Sequence, residues 1–138
     1  MPGAGNDDPE QLLSEPVLPI TGRCLCGAVR FELVAAPLSA GYCHCSRCQR
    51  RTGTAASAQA RLPEGGLRIV AGKEHVRTWQ PEQGFAKLFC DTCGSALFSH
   101  DPAKRHWAVR LGALDPGARD PAQLPAAGRV GLRVGADP

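Results

Sequence analysis

The sequence predicts an all-β domain with one short helix, and three observations support this fold class. Short segments of strand-like composition recur along the chain and are separated by Gly- and Pro-rich turns, such as 63–66 and 81–84. No segment shows the sustained apolar period of a long helix. The seven cysteines occur in closely spaced groups, which predicts that metal ions hold part of the fold together.

The length of 138 residues suits a single domain with a modest core. Residues 1–19 are rich in Pro, Gly, Asp and Glu, so we predict a disordered N-terminal arm there. We place a zinc-binding β domain at 20–115 and a tail at 116–138, in which 130–134 has the composition of one weak edge strand.

The charge balance argues against nucleic acid as a partner. The chain has 16 basic and 13 acidic residues, a net charge of +3, whereas nucleic-acid-binding domains usually carry a clustered basic excess. The first residues are acidic where a signal peptide is basic, and no run approaches the roughly 20 apolar residues of a membrane span. We therefore expect a cytoplasmic protein that binds no membrane. In a reducing compartment, grouped cysteines favour metal ions over disulfides, and their odd number agrees with this.

The pattern of apolar residues predicts several strands. Val29, Phe31 and Leu33 alternate with charged residues, which indicates a half-buried strand. Segments 67–70 and 75–80 predict an antiparallel pair joined by a short turn. Further strands are predicted at 54–62, 85–90, 96–99 and 107–114.

The predicted helix is short and follows the densest group of cysteines. Ser46 is a favoured N-cap residue, and the helix is predicted over 47–52. Gly53 follows directly and is typical of a helix C-terminus. Cys48 would then lie in the first turn, where unpaired N–H groups favour a thiolate.

Four of the cysteines form two pairs, Cys24 with Cys26 and Cys90 with Cys93. A glycine follows each pair, and each pair lies between two predicted strands, as in a zinc knuckle. Four thiolates are the closed ligand set of a structural zinc. One ion shared by both pairs would clamp an early β unit to a late one, and its binding energy would become folding energy. The alternative is buried free thiols that pack as small apolar groups.

The other three cysteines, Cys43, Cys45 and Cys48, lie within six residues. In an extended segment Cys43 and Cys45 share one face, while His44 points the other way. Three protein ligands with an open fourth position characterise a catalytic zinc, which can accept a substrate thiol and keep it ionised. The alternative is a second closed zinc, completed by a histidine such as His44, His75, His100 or His106.

Three arginines, Arg47, Arg50 and Arg51, accompany this group. The planar fork of arginine binds carboxylates well, so these residues are candidates for recognising a small anionic thiol. The alternative is a solvated basic face, which is the usual meaning of a run of charges.

The cysteine pattern resembles that of the glutathione-dependent formaldehyde-activating enzyme family, which includes relatives of centromere protein V. The resemblance rests on Cys24-x-Cys26-Gly27, Cys43-His44-Cys45-x-x-Cys48, Phe89-Cys90-x-x-Cys93-Gly94-Ser95-x-Leu97 and Gly112-Ala113-Leu114-Asp115. It covers about 22–115 and includes all seven cysteines. The tail after Asp115 departs from the family, because it is short, Ala-, Pro- and Gly-rich and lacks the family's Trp-containing segment.

The resemblance implies a β-rich fold of the zinc-binding chaperone type, made of twisted antiparallel sheets. It also implies two zinc ions per chain, a structural one on the paired cysteines and a catalytic one on Cys43, Cys45 and Cys48. The implied activity is that of a carbon–sulfur lyase similar to S-(hydroxymethyl)glutathione synthase. Such an enzyme adds glutathione or a similar thiol to formaldehyde or another small aldehyde, and Arg50 and Arg51 would grip the carboxylates of the thiol.

A rival hypothesis from a different class is a non-catalytic zinc module that binds a protein partner or carries a ligand. It predicts a filled fourth position on the second zinc and no exchange with added thiol. X-ray absorption at the zinc edge, with and without glutathione, distinguishes the two hypotheses. The sequence leaves the oligomeric state open, with a homodimer as one option.

Overall fold

The computed structural model describes residues 18–101, 103, 105–119 and 132–133. Within these ranges the chain forms two β-sheets and one α-helix, and all strand pairs but one are antiparallel. The predicted all-β class with one short helix is confirmed. No helix in these ranges combines the length and the apolar character that crossing a bilayer requires.

The elements follow each other in short steps along the chain. The strands and the helix are β1 (Ile20–Arg23), β2 (Arg30–Leu33), β3 (Ser39–Cys43), α1 (Ser46–Thr52), β4 (Ser57–Pro63), β5 (Leu67–Ala71), β6 (Val76–Trp79), β7 (Ala86–Cys90), β8 (Ala96–Asp101), β9 (His106–Arg110) and β10 (Leu132–Arg133). Short 3-10 turns lie at Glu64–Gly66, Lys73–His75 and Leu111–Ala113. The smaller sheet has the order β1-β2-β5, and the larger has the order β10-β3-β4-β9-β8-β7-β6.

The core lies between the two sheets. Val29, Phe31 and Leu33 are at most 1% exposed, so the alternation in the sequence places these three side chains in the core. Phe31 meets Phe98 of the larger sheet edge to face, with ring centroids 4.9 Å apart. Such aromatic pairs contribute about 0.5–1.5 kcal/mol beyond the area they bury. The opposite face of the larger sheet is therefore left for the candidate site.

The predicted antiparallel pair of 67–70 with 75–80 is wrong. Strand β5 pairs with β2 in the smaller sheet, whereas β6 pairs with β7 in the larger one. Gly72 separates the two strands in a left-handed conformation, with φ +78°, and a Cβ there would lie 1.8 Å from the carbonyl oxygen of Ala28. This close backbone approach redirects the chain from one sheet to the other, so β5 and β6 never form a hairpin.

The helix begins one residue earlier than predicted. Its N-cap is Cys45 and not Ser46, because Cys45 keeps an extended backbone and its sulfur accepts the hydrogen bond of the Cys48 N–H. Ser46 is already the first helical residue. Gly53 ends the helix with φ +74°, as the sequence predicted.

The predicted N-terminal arm lies almost wholly outside the described residues, which begin at Leu18. In the predicted tail the structure describes 116–119 and β10. Ala118 packs against the core, and Arg119 donates a hydrogen bond to the Leu114 carbonyl at 2.7 Å. Strand β10 lies parallel to β3.

Candidate metal centres and the adjoining cavity

The paired cysteines meet in one cluster, which we call the quartet: Cys24, Cys26, Cys90 and Cys93. Their four Sγ atoms all lie within 4.8 Å of one another. Cys26 Sγ lies 3.6 Å from that of Cys24 and 3.9 Å from that of Cys90. A tetrahedral ion with Zn–S bonds of about 2.3 Å separates its sulfurs by about 3.8 Å. The quartet therefore fits a metal ion with four thiolate ligands.

Each half of the quartet is shaped by a glycine that curls the chain back. Gly27 and Gly94 have φ values of +84° and +78°, which other residues rarely adopt. Their N–H groups donate to the carbonyl oxygens of Cys24 and Cys90 at 3.2 and 2.8 Å. Without these turns, the second sulfur of each pair would not fold back towards the first.

Backbone and hydroxyl groups surround the quartet sulfurs with hydrogen-bond donors. The N–H groups of Val29 and Thr92 donate to the sulfurs of Cys24 and Cys90 at 3.3 and 3.4 Å. Ser95 Oγ lies 3.1 Å from Cys93 Sγ and accepts a hydrogen bond from the N–H of Leu25. These donors stabilise negative charge on sulfur.

Ser95 lowers the pKa of one cysteine of the quartet. Its hydroxyl, together with a backbone N–H from Cys26, lowers the pKa of Cys93 to about 5. Because Ser95 is bound by Leu25 on the other turn, it also joins the two halves of the quartet directly.

The quartet links the two sheets. Cys24 and Cys26 lie in the turn between β1 and β2 of the smaller sheet, and Cys90 and Cys93 lie at the turn between β7 and β8 of the larger one. A metal ion held here would cross-link both layers around the core, as a structural ion does.

The remaining cysteines form a second cluster, the trio: Cys43, Cys45 and Cys48. Cys43 ends β3, Cys45 caps α1 and Cys48 lies in the first turn of that helix. The three Sγ atoms lie within 4.8 Å of one another, and those of Cys43 and Cys45 are 3.5 Å apart. In the described part of the chain, no His, Asp or Glu adds a fourth ligand atom to this cluster.

Three of the histidines proposed as a fourth ligand have other surroundings. His75 Nδ1 lies 3.1 Å from a carboxylate oxygen of Asp91. His100 Nε2 lies 2.9 Å from Glu64, and its ring stacks on Trp107 with centroids 3.8 Å apart. The Nδ1 atom of His106 is buried without a hydrogen bond. His44 lies between two trio residues in sequence but does not join the cluster.

Ionising all three cysteines of the trio is unfavourable, because their sulfurs lie close together and are partly buried. Burial, with the sulfurs of Cys43 and Cys45 alongside, raises the pKa of Cys48 to about 12. Although burial opposes it, the N–H of Cys48 and the sulfur of Cys43 lower the pKa of Cys45 below its ordinary value. The protein alone therefore favours one thiolate over three, whereas a bound cation would favour all three. This donor set fits a metal ion.

A cavity of about 500 Å³ adjoins the trio. Cys45 and Cys48 form part of its wall, and Trp79 and Phe85 supply aromatic surface. Five cationic side chains also line it, namely Arg47, Arg50, Arg51, Lys87 and Arg110. Its described lining contains no Asp or Glu, so the cavity suits an anionic ligand.

Comparison with known proteins identifies the family. A family model described as glutathione-dependent formaldehyde-activating enzyme matches residues 19–127, well over half of the chain. The chain belongs to this family. The predicted membership is thereby confirmed.

Two curated relatives of this formaldehyde-activating family are provisionally named as glutathione-dependent formaldehyde-activating enzymes. The protein from Halomonas elongata is 35% identical over 89 residues, which is 60% of this chain and 57% of the relative. The protein from Sordaria macrospora is 29% identical over 91 residues, which is 62% of this chain and 38% of the relative. The chain thus spans less than two thirds of the length of either relative.

A solved structure supports the same fold. The crystal structure of a Rhodobacter sphaeroides protein matches with a TM-score of 0.56 and 31% sequence identity. The match covers 83% of this chain and 100% of that one.

In this family member the predicted arginines all line the cavity, but their side chains differ in role. Arg47 donates a hydrogen bond of 2.6 Å to the carbonyl oxygen of Gln83 and so holds the turn at 81–84. Arg51 lies over the ring of Phe89, 5.8 Å from its centroid. Arg50 is exposed at the cavity.

Sequence reasoning missed Lys87 and Arg110, which line the same cavity from β7 and β9. Arg110 is only 8% exposed. The sequence could have indicated Arg110, because this charged residue follows Ala108 and Val109 in a segment predicted as a strand. A charge inside an apolar strand either costs stability or has a partner.

Proposed function

We propose that this protein is an enzyme of the carbon–sulfur lyase class that adds a thiol to formaldehyde or another small aldehyde. Glutathione or a similar anionic thiol is the proposed nucleophile. The thiol sulfur bonds to the carbonyl carbon, and the carbonyl oxygen takes the proton lost by the thiol. The product is an S-hydroxymethyl adduct, or its homologue for a larger aldehyde, and nothing is oxidised or reduced.

The observation that carries the proposal is the position of the trio at the wall of the cationic cavity. The three sulfurs converge on one another, Cys45 and Cys48 line the cavity, and no His, Asp or Glu of the described residues completes their ligand set. Cys43, Cys45 and Cys48 would hold one zinc ion and the quartet a second. When bound by three thiolates, zinc offers an open position at which a thiol is activated and a carbonyl can be polarised.

The protein's own residues fix the geometry of the trio. Cys45 Sγ is oriented by the N–H of Cys48 at 3.4 Å, and the helix register then fixes where Cys48 points. Cys43 is held by β3, which pairs with β4 through the register Cys43–Ser57. The trio is therefore supported by a strand and a helix together, and not by a loop.

The cavity matches the proposed thiol in size and charge. Its volume of about 500 Å³ falls in the range usual for small-molecule sites. Arg50 and Arg51 would attract and hold carboxylates, while Trp79 and Phe85 would cover apolar parts of the ligand. The cytoplasm, where thiols stay reduced, is the proposed compartment.

The test is the rate of adduct exchange between glutathione and formaldehyde, measured by NMR exchange spectroscopy. Because the thiol also reacts without a catalyst, the quantity of interest is the acceleration by the protein. Wild type should accelerate exchange, and Cys45→Ser should lose the acceleration while keeping the fold. Val70→Ser, an exposed substitution, is the control and should behave as wild type. No acceleration by wild type, or full acceleration by Cys45→Ser, would overturn the proposal.

A further inference from the structure

A row of polar side chains crosses the larger sheet on the face opposite the core. Cross-strand register pairs Cys43 with Ser57, Gln59 with Arg110, and Ser99 with Lys87. Alternate residues of a strand share a face, and directly opposed residues do too. The row therefore runs on one face from the trio at β3 to Lys87 at β7, under the cavity.

Within this row, hydrogen bonds hold the side chain of Arg110 in place. Its guanidinium donates one hydrogen bond to Gln59 Oε1 and another to Ser99 Oγ, the latter at 3.0 Å. Ser57 in turn donates to Gln59 Oε1 at 3.3 Å, which fixes the amide. The Nε atom of Arg110 is buried without a hydrogen-bond partner. The network thus orients a guanidinium but leaves part of its donor capacity unused.

Neither Arg110 nor Lys87 forms an ion pair within the described ranges. Both partners of Arg110 are neutral, and Lys87 has no carboxylate within salt-bridge distance there. Burial lowers the pKa of each side chain, and the charge of Arg110 lowers that of Lys87 further. The nearby sulfurs of Cys48 and Cys43 raise the pKa of Arg110, and the charge of Arg51 lowers it. A buried guanidinium and a half-buried ammonium without a carboxylate partner form a site that gains from an anion.

We propose that Lys87 and Arg110 form a carboxylate-binding subsite in the wall of the cavity of about 500 Å³ and so orient the thiol ligand. That the ligand of this subsite is a thiol rests on the proposed function. Charge-assisted hydrogen bonds from a buried guanidinium hold a carboxylate in one orientation. An exposed arginine attracts a carboxylate more weakly, because salt screens the interaction. Arg50, which is exposed, and Arg51, which is half-buried, attract and hold carboxylate at the cavity wall, and Lys87 with Arg110 fixes the orientation of the ligand.

Arg110 lines two cavities, and the position of Lys87 indicates which of them contains the subsite. Arg110 also lines a second cavity of about 590 Å³, beside Arg23, Asp115 and Arg119. That cavity contains a carboxylate, and Lys87 does not reach it. Both cations line the cavity that adjoins the trio.

The probe is S-methylglutathione, which keeps the carboxylates of glutathione but has no free thiol. Its binding to the zinc-loaded protein is measured by isothermal titration calorimetry, beside its diethyl ester, in which both carboxylates are blocked. Lys87→Met should weaken binding of the free acid at least about tenfold, the loss expected for one charge-assisted hydrogen bond. It should leave binding of the ester unchanged. Arg110→Lys keeps the charge but loses the planar guanidinium, so it should also weaken binding of the free acid.

Arg68→Met is the matched control, because Arg68 is exposed and pairs with Glu32 on the smaller sheet. It should bind S-methylglutathione as wild type does. The subsite is overturned if Lys87→Met binds the free acid as tightly as wild type, or if wild type binds the ester as tightly as the acid. Failure of the proposed function gives a different result, namely charge-dependent binding of S-methylglutathione without any acceleration of adduct exchange.

Discussion

The sulfur of Cys45 accepts a hydrogen bond from the backbone N–H of Cys48 at 3.4 Å, so one candidate metal ligand caps the helix that carries another. The cap fixes where the helix starts, and the helix fixes the direction of Cys48. Cys43 precedes the cap at the end of β3. The spacing of the three cysteines therefore positions their sulfurs through local structure, and β4 supports Cys43 by pairing with β3.

This double role gives a prediction that separates capping from metal binding. Serine is a good N-cap and alanine a poor one, but neither supplies a sulfur. Cys45→Ala should therefore be less stable than Cys45→Ser by about 1 kcal/mol, as measured by urea denaturation. Equal stability of the two variants would contradict the capping role of Cys45.

The quartet should dominate the stability of the fold, because it joins the two sheets. Cys90 is fully buried, and Cys90→Ala should lower the free energy of unfolding by at least about 3 kcal/mol. Cys48→Ala in the trio is the comparison and should cost clearly less, since the sheets stay linked. Chelator should lower the melting temperature of wild type and have little further effect on Cys90→Ala. Similar losses in the two cysteine variants would show that the quartet is not the clamp.

Gly72 should tolerate replacement by alanine much less well than Gly65. A Cβ at Gly72 would lie 1.8 Å from the Ala28 carbonyl oxygen, and its φ is +78°. Gly72→Ala should destabilise by about 3 kcal/mol or more, because the backbone itself must move. Gly65 has open space around it, so Gly65→Ala should stay within about 0.5 kcal/mol of wild type. Chemical denaturation measures both, and a tolerated Gly72→Ala would refute the close approach.

Arg47 should order the turn that carries Phe85 to the cavity. Its guanidinium donates to the Gln83 carbonyl at 2.6 Å and lies against Gly84. Arg47→Gln should speed hydrogen exchange of the amides at 82–85 several-fold, since the turn loses its anchor. Arg50→Gln should not, because Arg50 makes no such bond in the described structure. Equal exchange rates in wild type and Arg47→Gln would contradict this role.

The sequence was most informative where structure is local. The alternation of Val29, Phe31 and Leu33 determines which side of β2 faces the core. The sequence spacing of the trio cysteines brings their three sulfurs together. Long-range relationships were harder to predict, because they depend on which strand edges meet. The pairing of β5 with β2 depends on the contact between Gly72 and Ala28, which no local pattern reveals.

Two features of the site illustrate the same limit. Ser46 is the better capping residue by type, yet Cys45 is the cap, because its sulfur lies beside the first-turn N–H. Lys87 and Arg110 are 23 positions apart in the numbering and line one cavity only because β7, β8 and β9 are neighbours in the sheet. Their chemistry became visible only once strand order was known.

The zinc content of native protein, purified without chelator and measured by mass spectrometry of the metal, tests the central claim most directly. That claim is that the trio holds a metal ion separately from the quartet. The expected result is two zinc ions per chain, falling to one in Cys45→Ser while the fold is kept. One zinc ion per chain in wild type, or two in Cys45→Ser, would contradict it.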